Sequence, residues 1–567
     1  MLLSNLNLLA TAPGGVARLR ELILTLAVQG KLLPQDPQDE PARVLLQNIR
    51  AEKDRLMAEG KIKRDKPLAA IAEEEKPFEV PVGWEWVRLG DIGYTNIGLT
   101  YSPNNVSETG TPVLRSNNVQ AGKLDLSDLK RVNMRVKESV LVAEGDLLIC
   151  ARNGSKALVG KTAMITGLSE EMAFGAFMAI FRSEANGYVL HFINSPLFRR
   201  MISDVNTTTI NQITQENLRG TVFPLPPLPE QTRIVTRVEE LMRLCDALES
   251  KGQLEAAQHT QLVSTLLATL TDSATPAALS ENWQRLASHF DLLLDRPQAV
   301  DALEQTILQL AVRGLLVPQD PAEEPARVLL QTIRAEKDRL IAAGQLKRDK
   351  PLPPVAQDEQ PFALPQGWEW TRFGDLALIS SGITLGRKTA IPSPVFLPYL
   401  RVANVQRWRL NLTSMKEVVI DRTELDRFQI VNGDLLITEG GDWDKVGRTA
   451  IWRDELPTCL HQNHVFKARG TSPDWNPVWA ELYLNSMVAR SYFASSAKQT
   501  TNLASINMTQ LKNCMFPVPT LPEQARIVAR VEALRGLCAD LRQRLAASQR
   551  TQAQLAEALV SGVAARQ

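Results

Sequence analysis

The stretch ILTLAVQGKLLPQDPQDEPARVLLQNIRAEKDRLMAEGKIKRDKPL begins at Ile23, and a near copy, ILQLAVRGLLVPQDPAEEPARVLLQTIRAEKDRLIAAGQLKRDKPL, begins at Ile307, 284 residues later. The same offset holds as far as the GWEW motif, which begins at Gly83 and again at Gly367. Self-similarity over such a distance means that one structural unit is present twice. The fold of this chain is therefore the fold of a duplicated unit.

Downstream of GWEW the two copies diverge but keep their order. EGDLLI at Glu144 corresponds to NGDLLI at Asn432, and LPEQTRIVTRVEEL at Leu228 corresponds to LPEQARIVARVEAL at Leu521. In each copy, a segment that differs between the copies thus lies between two segments that are nearly the same in both. Two near-identical scaffolds carry two different inserts.

The repeat predicts pseudo-two-fold symmetry, with two variable domains joined to a pair of long coiled-coil helices. The predicted regions follow the chain. They are a conserved helical region (1–80), a first variable domain (81–227), a long helix (228–270), a linker with a second conserved helical region (271–364), a second variable domain (365–520) and a second long helix (521–567).

Apolar residues at alternating steps of four and three predict a coiled-coil seam on each long helix. In the second helix the seam comprises Ile527, Val531, Leu534, Cys538, Leu541, Leu545, Ser548, Gln552, Leu555 and Leu559. In the first it comprises Ile234, Val238, Leu241, Cys245 and Leu248, is interrupted, and resumes at Leu262 and Leu266. Polar Ser548 and Gln552 favour a narrow two-helix contact over an ordinary buried face. Each helix should span roughly 50–60 Å.

Composition narrows the class of protein. A chain of 567 residues exceeds one ordinary core, which predicts two to four domains. With 64 Lys and Arg against 63 Asp and Glu, the net charge of +1 excludes a non-specific basic coat for nucleic acid. Five cysteines form no C-x-x-C pair, and no signal peptide or membrane span is expected. These features predict a cytoplasmic protein with reduced thiols and no metal site.

GSKALVGKT, Gly154 to Thr162, resembles a nucleotide-binding loop, but five residues rather than four separate Gly154 from Gly160. The second copy keeps this spacing and has Arg448 where an ATPase needs lysine. The residues that follow read as a strand, whereas a phosphate loop must open a helix. The stretch is therefore predicted to be a β-hairpin.

Together, GWEWVRLGDI at Gly83, GDLLI and PLPPLPEQTRIVTRVEEL at Pro224, each repeated in the second copy, resemble the specificity subunit of type I restriction-modification systems. The resemblance covers nearly the whole chain. It implies an α+β fold in which two α/β target-recognition domains are separated by a pair of long antiparallel coiled-coil helices, and each domain is expected to read one half of a bipartite, asymmetric sequence in double-stranded DNA. It also implies that the chain is not itself an enzyme. The implied partners are two methyltransferase subunits for adenine-N6 methylation and restriction (translocase) subunits. The methyltransferase subunits would bind S-adenosylmethionine.

A single-chain methyltransferase or nuclease is the alternative. The Asn/Asp-Pro-Pro-aromatic loop of an amino-methyltransferase is missing from the sequence, and NPVW at Asn476 lacks the second proline. FGAF at Phe174 does not fit a methyl-donor loop. His461 and His464 have metal-compatible spacing but no counterpart in the first copy. These observations favour an adaptor over an enzyme.

Residues that read bases and phosphates are Arg, Lys, Asn, Gln, Ser and Thr in loops next to strands. In the first domain the predicted DNA-binding residues are Arg115, Asn117, Asn118, Arg152, Asn153, Ser155, Lys156, Thr207, Thr208 and Asn211. In the second domain they are Arg401, Asn404, Arg407, Asp442, Trp443, Lys445, His461, Asn463, Lys498, Gln499, Thr500 and Thr501.

Overall fold

The structure is a computed structural model, and it describes residues 6–59, 67–120, 122–205, 212–273, 275–386, 391–442, 445–500 and 503–566. The chain divides into two compact units, Met1–Glu255 with Ser548–Gln567, and Ala256–Ala547. In the part that is described, no helix has the length and apolar character needed to cross a membrane. The predicted α+β class with two α/β domains in a duplicated chain is confirmed.

The first copy begins with three helices and ends with a long one. Its helices are α1 (Leu6–Thr11), α2 (Gly15–Val28), α3 (Ala42–Ala58), α4 (Leu89–Ile92), α5 (Asn186–Ile193), α6 (Pro196–Val205), α7 (Gln215–Gly220) and α8 (Leu228–Thr271). Its strands are β1 (Glu85–Arg88), β2 (Tyr94–Ile97), β3 (Val106–Ser107), β4 (Thr111–Leu114), β5 (Val119–Gln120), β6 (Lys123–Leu124), β7 (Lys130–Val132), β8 (Leu147–Cys150), β9 (Thr162–Met164), β10 (Ala173–Phe174), β11 (Met178–Arg182) and β12 (Val222–Leu225).

The second copy repeats this plan. Its helices are α9 (Pro276–Ala287), α10 (Phe290–Leu293), α11 (Pro297–Val312), α12 (Ala326–Ala342), α13 (Phe373–Leu376), α14 (Leu425–Phe428), α15 (Pro477–Leu484), α16 (Met487–Ser496), α17 (Met508–Asn513) and α18 (Leu521–Arg566). Its strands are β13 (Glu369–Arg372), β14 (Ala377–Ser381), β15 (Pro394–Leu400), β16 (Val405–Gln406), β17 (Arg409–Leu410), β18 (Lys416–Asp421), β19 (Leu435–Thr438), β20 (Gly440–Gly441), β21 (Thr449–Ile451), β22 (Leu460–His461), β23 (Val465–Gly470), β24 (Lys498–Thr500), β25 (Leu503–Ser505) and β26 (Met515–Val518).

Each variable domain is built on an antiparallel four-stranded sheet. The strand order is β2-β11-β8-β9 in the first domain and β14-β23-β19-β21 in the second. The central strands β8 and β19 carry the GDLLI motif, and every residue of these two strands is buried. A two-stranded ribbon, β1 with β12 and β13 with β26, joins each domain to its long helix. The motifs shared by the two copies thus form the framework of the domains.

An ion pair fixes this sheet in both domains. The Arg182 guanidinium donates two hydrogen bonds to the buried carboxylate of Asp146, and Arg469 donates two to Asp434, each 2.6 Å long. Bidentate pairing of this kind is geometrically specific. The carboxylate oxygens also accept backbone N–H groups of the preceding turn, from Ala143 and Val431, both at 2.8 Å. The aspartate of GDLLI is therefore a structural residue.

The hairpin predicted for GSKALVGKT is confirmed. Strand β8 pairs antiparallel with β9, and Ile149 faces Thr162. Residues Lys156–Leu158 form one short 3-10 turn inside the loop. Lys161 points its ammonium group at the side-chain oxygen of Gln120, 3.4 Å away. The loop thus lacks the helix N-terminus that a phosphate-binding loop requires.

The long helices have 44 and 46 residues, so they span about 65–70 Å rather than the shorter length predicted. The first half of each seam is buried as expected within its own unit. Ile234, Val238, Ile527 and Val531 are almost inaccessible, and Leu241, Leu248, Leu534, Leu541 and Leu545 are half-buried.

In the second half of each helix the predicted seam is wrong at Leu262, Ser548, Gln552 and Leu555, whereas the predicted positions Leu266 and Leu559 are half-buried. Leu262 and Leu555 are about half exposed, and Ser548 and Gln552 are exposed. The buried positions are instead Val263, Leu267 and Leu270 in α8, and Ala556 and Val563 in α18. A straight helix of 3.6 residues per turn drifts relative to a 3.5-residue repeat, so the buried line advances by one position.

The C-terminal end of each long helix packs on the conserved helices that precede a variable domain, α1 and α2 in the first copy and α11 in the second. Within the first unit, Ala556 contacts the apolar cluster of Leu9 and Ala12, and Val563 contacts that of Leu22 and Leu26. Within the second unit, the last turns of α8 join the core formed by α11 and its neighbours. The C-terminal end of the second copy therefore packs on α1 and α2 of the first.

Candidate nucleic-acid interface

The candidate interface of the first domain is a cavity of about 780 Å³ at the ends of strands β2, β8 and β11 of its main sheet. It is bordered by the loop after β4, by the hairpin loop after β8 and by the turn between β10 and β11. Its lining combines polar residues with apolar ones, including Ile97, Arg115, Asn117, Arg152, Phe177, Gln212 and Gln215. Guanidinium and amide groups are the side chains that hydrogen-bond to base edges and phosphates.

Close backbone packing borders this cavity, and the second domain repeats that packing at the equivalent position. A Cβ atom on Gly98 would lie 2.2 Å from the carbonyl oxygen of Phe174, and one on Gly382 would lie 1.9 Å from that of His461. Only glycine fits at such distances. The chain after β2 and after β14 therefore lies directly against the turn that follows β10 and β22.

Asn118 and Asn404 form the turns after β4 and β15 rather than facing solvent. The Asn118 side-chain oxygen accepts the Arg115 N–H at 2.9 Å, and its amide donates to the carbonyls of Asp125 and Asp128 at 2.8 and 3.0 Å. Asn404 repeats this pattern with the Arg401 N–H. Both amides are buried and satisfied within the protein. These two residues leave the proposed DNA-binding set.

The neighbouring side chains have different surroundings. Asn117 is exposed at the cavity. Arg115 is half-buried and donates to the carboxylate of Asp128 at 3.0 Å, whereas Arg401 donates to the carbonyl of Ser414 at 2.8 Å. Both arginines are thus fixed by the loop that follows them.

The hairpin loop of the first domain exposes most of its predicted residues. Arg152, Ser155 and Lys156 are exposed, while Asn153 is half-buried and accepts the Ser155 N–H at 3.0 Å. Such an Asx turn orders the loop backbone. The cationic side chains of Arg152 and Lys156 therefore project from a defined turn.

The second domain places its predicted residues less uniformly. Asp442 and Lys445 pair with each other, and Lys498 is exposed at the start of β24. Arg407 donates to the side-chain oxygen of Asn485 at 3.3 Å, so it is directed partly toward the domain. Asn463 is half-buried in the turn between β22 and β23.

His461 lies in the interior. It is fully buried, its Nδ1 lies 2.7 Å from the Val465 carbonyl oxygen, and burial lowers the pKa of its ring to about 4. We therefore exclude His461, like Asn118 and Asn404, from the proposed DNA-binding residues, because a side chain without solvent access cannot contact a base. In the described residues, no group of three or more His, Cys, Asp or Glu side chains is arranged to hold a metal ion.

Seven predicted residues fall wholly or in their side chains outside the described part of the chain. Thr207, Thr208, Asn211, Trp443 and Thr501 lie outside the described residues, and the side chains of Gln499 and Thr500, which belong to β24, are likewise not described. These seven remain predictions from the sequence.

Two exposed side chains at equivalent turns are not among the predicted DNA-binding residues. They are Phe177 before β11 and His464 before β23, of which His464 was considered from the sequence only as part of a metal-compatible pair. Nδ1 of His464 lies 2.6 Å from a carboxylate oxygen of Glu439. Aligning β11 with β23, the strands that pair with the GDLLI strand in each copy, would have identified both positions.

Comparison with known proteins agrees with this architecture. The model for the type I restriction modification DNA specificity domain matches residues 81–258 and again 365–548. The specificity subunits of the type I restriction enzymes EcoEI and EcoAI from Escherichia coli are each 36% identical over 565 residues, covering 96% of this chain and 93% of theirs.

A solved chain from a study of complex assembly and conformational transition of the type I restriction-modification system has the same fold. It aligns with a TM-score of 0.50 at 18% identity and covers 86% of this chain and 99% of that one. The duplicated match and the nearly full-length relatives place the chain in one family: it belongs to the specificity subunits of type I restriction-modification systems, the non-catalytic components that recognise the DNA target.

Proposed function

We propose that the two variable domains read the two halves of a bipartite, asymmetric target in double-stranded DNA. One observation carries this proposal. The domains share the Asp146–Arg182 and Asp434–Arg469 framework, yet at equivalent turns they expose Phe177 in one domain and His464 in the other. An identical framework with different exposed side chains is suited to reading different sequences.

The proposed DNA contacts are the predicted residues that the structure leaves accessible. In the first domain they are Arg115, Asn117, Arg152, Asn153, Ser155 and Lys156, and in the second Arg401, Arg407, Asp442, Lys445, Asn463 and Lys498. Thr207, Thr208, Asn211, Trp443, Gln499, Thr500 and Thr501 are retained on sequence grounds. Arginine and asparagine are assigned to base edges, and lysine and serine to phosphates.

The proposed partners are two methyltransferase subunits, which bind S-adenosylmethionine and methylate adenine at N6, and restriction (translocase) subunits. The duplication of the chain supports the proposed number of two methyltransferase subunits. Trp84 and Trp368, both buried, join each GWEW motif to the first turn of a long helix through Glu230 and Glu523. Because the scaffolds repeat in sequence and in such contacts, they offer two nearly equivalent docking surfaces to one kind of partner.

The test is to express the chain with its methyltransferase subunits and map N6-methyladenine across the host genome. We expect one bipartite motif whose halves differ. Replacing residues 83–227 by the variable domain of another specificity subunit should change one half only. A change in both halves would refute independent reading.

The matched control is the purified chain alone with S-adenosylmethionine. It should transfer no methyl group and cleave no DNA, and Lys161→Ala should leave the complex active. Methyl transfer or cleavage by the isolated chain would support the alternative of a single-chain methyltransferase or nuclease.

A further inference from the structure

Phe177 is a large apolar side chain held in solvent at the edge of the first domain's cavity. The residue is 61% exposed. Its carbonyl oxygen accepts the backbone N–H groups of Ala151 and Arg152, both at 3.0 Å. The guanidinium carbon of Arg152 lies 5.5 Å from the centre of the phenylalanine ring. The backbone at Phe177 is therefore held by two hydrogen bonds, and its ring lies beside a guanidinium group while remaining accessible to a ligand.

The equivalent position of the second domain is His464. Met178 pairs with Cys150 in the first domain, and Val465 pairs with Thr438 in the second. Cys150 and Thr438 are each the last residue of the strand that contains GDLLI. The residues one step before Met178 and Val465 thus correspond. The first domain presents an apolar ring where the second presents a hydrogen-bonding ring.

The chemistry of the cavity indicates what the ring meets. Ile97, which is 51% exposed, lines the same wall and extends its apolar part. The remaining border carries Arg115, Asn117 and Gln212, which can hydrogen-bond to base edges. Among the groups on the base edges of the major groove, the C5 methyl of thymine is the one that is apolar, and phenylalanine is a side chain that contacts it.

We propose that Phe177 determines specificity in the first domain by packing its ring against the C5 methyl group of one thymine in the half-site that this domain reads. The inference rests on the proposed function and adds a defined contact to it. His464, paired with Glu439, contacts the second half-site by hydrogen bonding instead. The two domains thus differ in the kind of base contact made at one shared position.

The experiment uses the complex of the full chain with its methyltransferase subunits and a duplex that carries the mapped target. The half-site of the first domain is assigned by exchanging residues 83–227. Each thymine in that half-site is then replaced in turn by deoxyuridine, which removes only the methyl group. Equilibrium binding is measured for the wild type, Phe177→Ala, Phe177→Leu and, as the matched control in the other domain, His464→Ala.

We expect one deoxyuridine position to weaken wild-type binding about 4-fold, the amount that corresponds to burying one methyl group. Phe177→Ala should bind the thymine duplex more weakly and show no sensitivity at that position, whereas Phe177→Leu keeps part of it. His464→Ala should keep the full sensitivity. Phe177 is exposed, so none of these effects should come with a lower melting temperature.

Three results would overturn the inference: a wild type insensitive to every replacement, a Phe177→Ala variant as sensitive as the wild type, or a half-site without thymine. Failure of the proposed function is distinguishable, because the wild-type complex would then bind the mapped duplex no better than a scrambled one.

Discussion

The indole N–H of Trp84 donates a hydrogen bond of 2.8 Å to the carboxylate of Glu230, 146 residues later in the chain. The side-chain amide of Gln35 donates to the same carboxylate at 3.2 Å. The second copy repeats the bond between Trp368 and Glu523 at 2.7 Å. The contact joins the GWEW motif to the LPEQ motif, and it explains why both motifs occur together in each copy.

Substitutions of Glu230 should show that the hydrogen bond from Trp84 contributes more to the free energy of unfolding than the negative charge of Glu230 does. Burial, the largest influence, raises the pKa of Glu230. Glu230→Ala leaves the buried indole N–H without an acceptor, which should cost about 1–3 kcal/mol. Glu230→Gln keeps an acceptor oxygen and removes the buried charge, so it should cost less. Chemical denaturation at pH 7 checks the order, and a Gln variant less stable than the Ala variant would contradict it.

Glu481 should make the second unit less stable as the pH rises. Burial raises the pKa of this carboxyl to about 7, with Arg453 4.0 Å away and the Ile451 N–H donating at 3.2 Å. A carboxyl whose pKa is higher in the folded state binds more protons there, so stability falls from about pH 4.5 to pH 7. The loss should be on the order of 3 kcal/mol.

Glu481→Gln removes this titration while keeping an acceptor for the Ile451 N–H. The variant should match the wild type near pH 4.5 and exceed its stability at pH 8. Urea unfolding across this range is the measurement. Parallel pH profiles for the two proteins would exclude Glu481 as the source.

Trp408 has a left-handed backbone, with φ of +68°, in the turn that joins β16 to β17. The corresponding turn between β5 and β6 has Gly122 with φ of +77°. The Arg535 guanidinium lies 4.1 Å from the centre of a Trp408 ring and also donates to Glu304 at 2.7 Å. The aromatic–cation contact thus offsets the strain of a bulky residue at positive φ.

Two variants separate the strain from the contact. Both Trp408→Ala and Trp408→Gly lose the contact with Arg535, but only glycine relieves the backbone. Trp408→Gly should therefore be more stable than Trp408→Ala by about 1 kcal/mol. The difference in thermal or urea unfolding is the readout. Equal stabilities would show that the turn changes its backbone when the indole is removed.

Asn117 and Asn118 are adjacent but should respond oppositely to substitution. Asn118→Ala removes one acceptor and two donors from a buried turn, so it should cost about 1–3 kcal/mol in unfolding free energy. Asn117→Ala should leave stability unchanged and alter the methylated motif in one half-site. Thermal unfolding and methylome mapping of both variants test this. A changed motif with Asn118→Ala at unchanged stability would restore that residue to the DNA-binding set.

The sequence alone determined the duplication, the hairpin and the family. The repeat is visible when the segment at Ile23 is aligned with the segment at Ile307, and strand or helix periodicity is a local pattern. Both can be read from the order of the residues without knowledge of the tertiary structure. The same reasoning placed the beginning of each long helix at Leu228 and Leu521, where the structure also begins them.

Only the tertiary structure decided which polar side chains face outward. Asn117 and Asn118 have the same chemistry, but the turn after β4 buries one and exposes the other. Likewise, the register of the buried line shifts from Leu262 to Val263, because helix twist accumulates along a long helix and the neighbouring helices set the buried face. Burial depends on residues distant in the sequence, such as Glu230 for Trp84, and no local pattern contains that information.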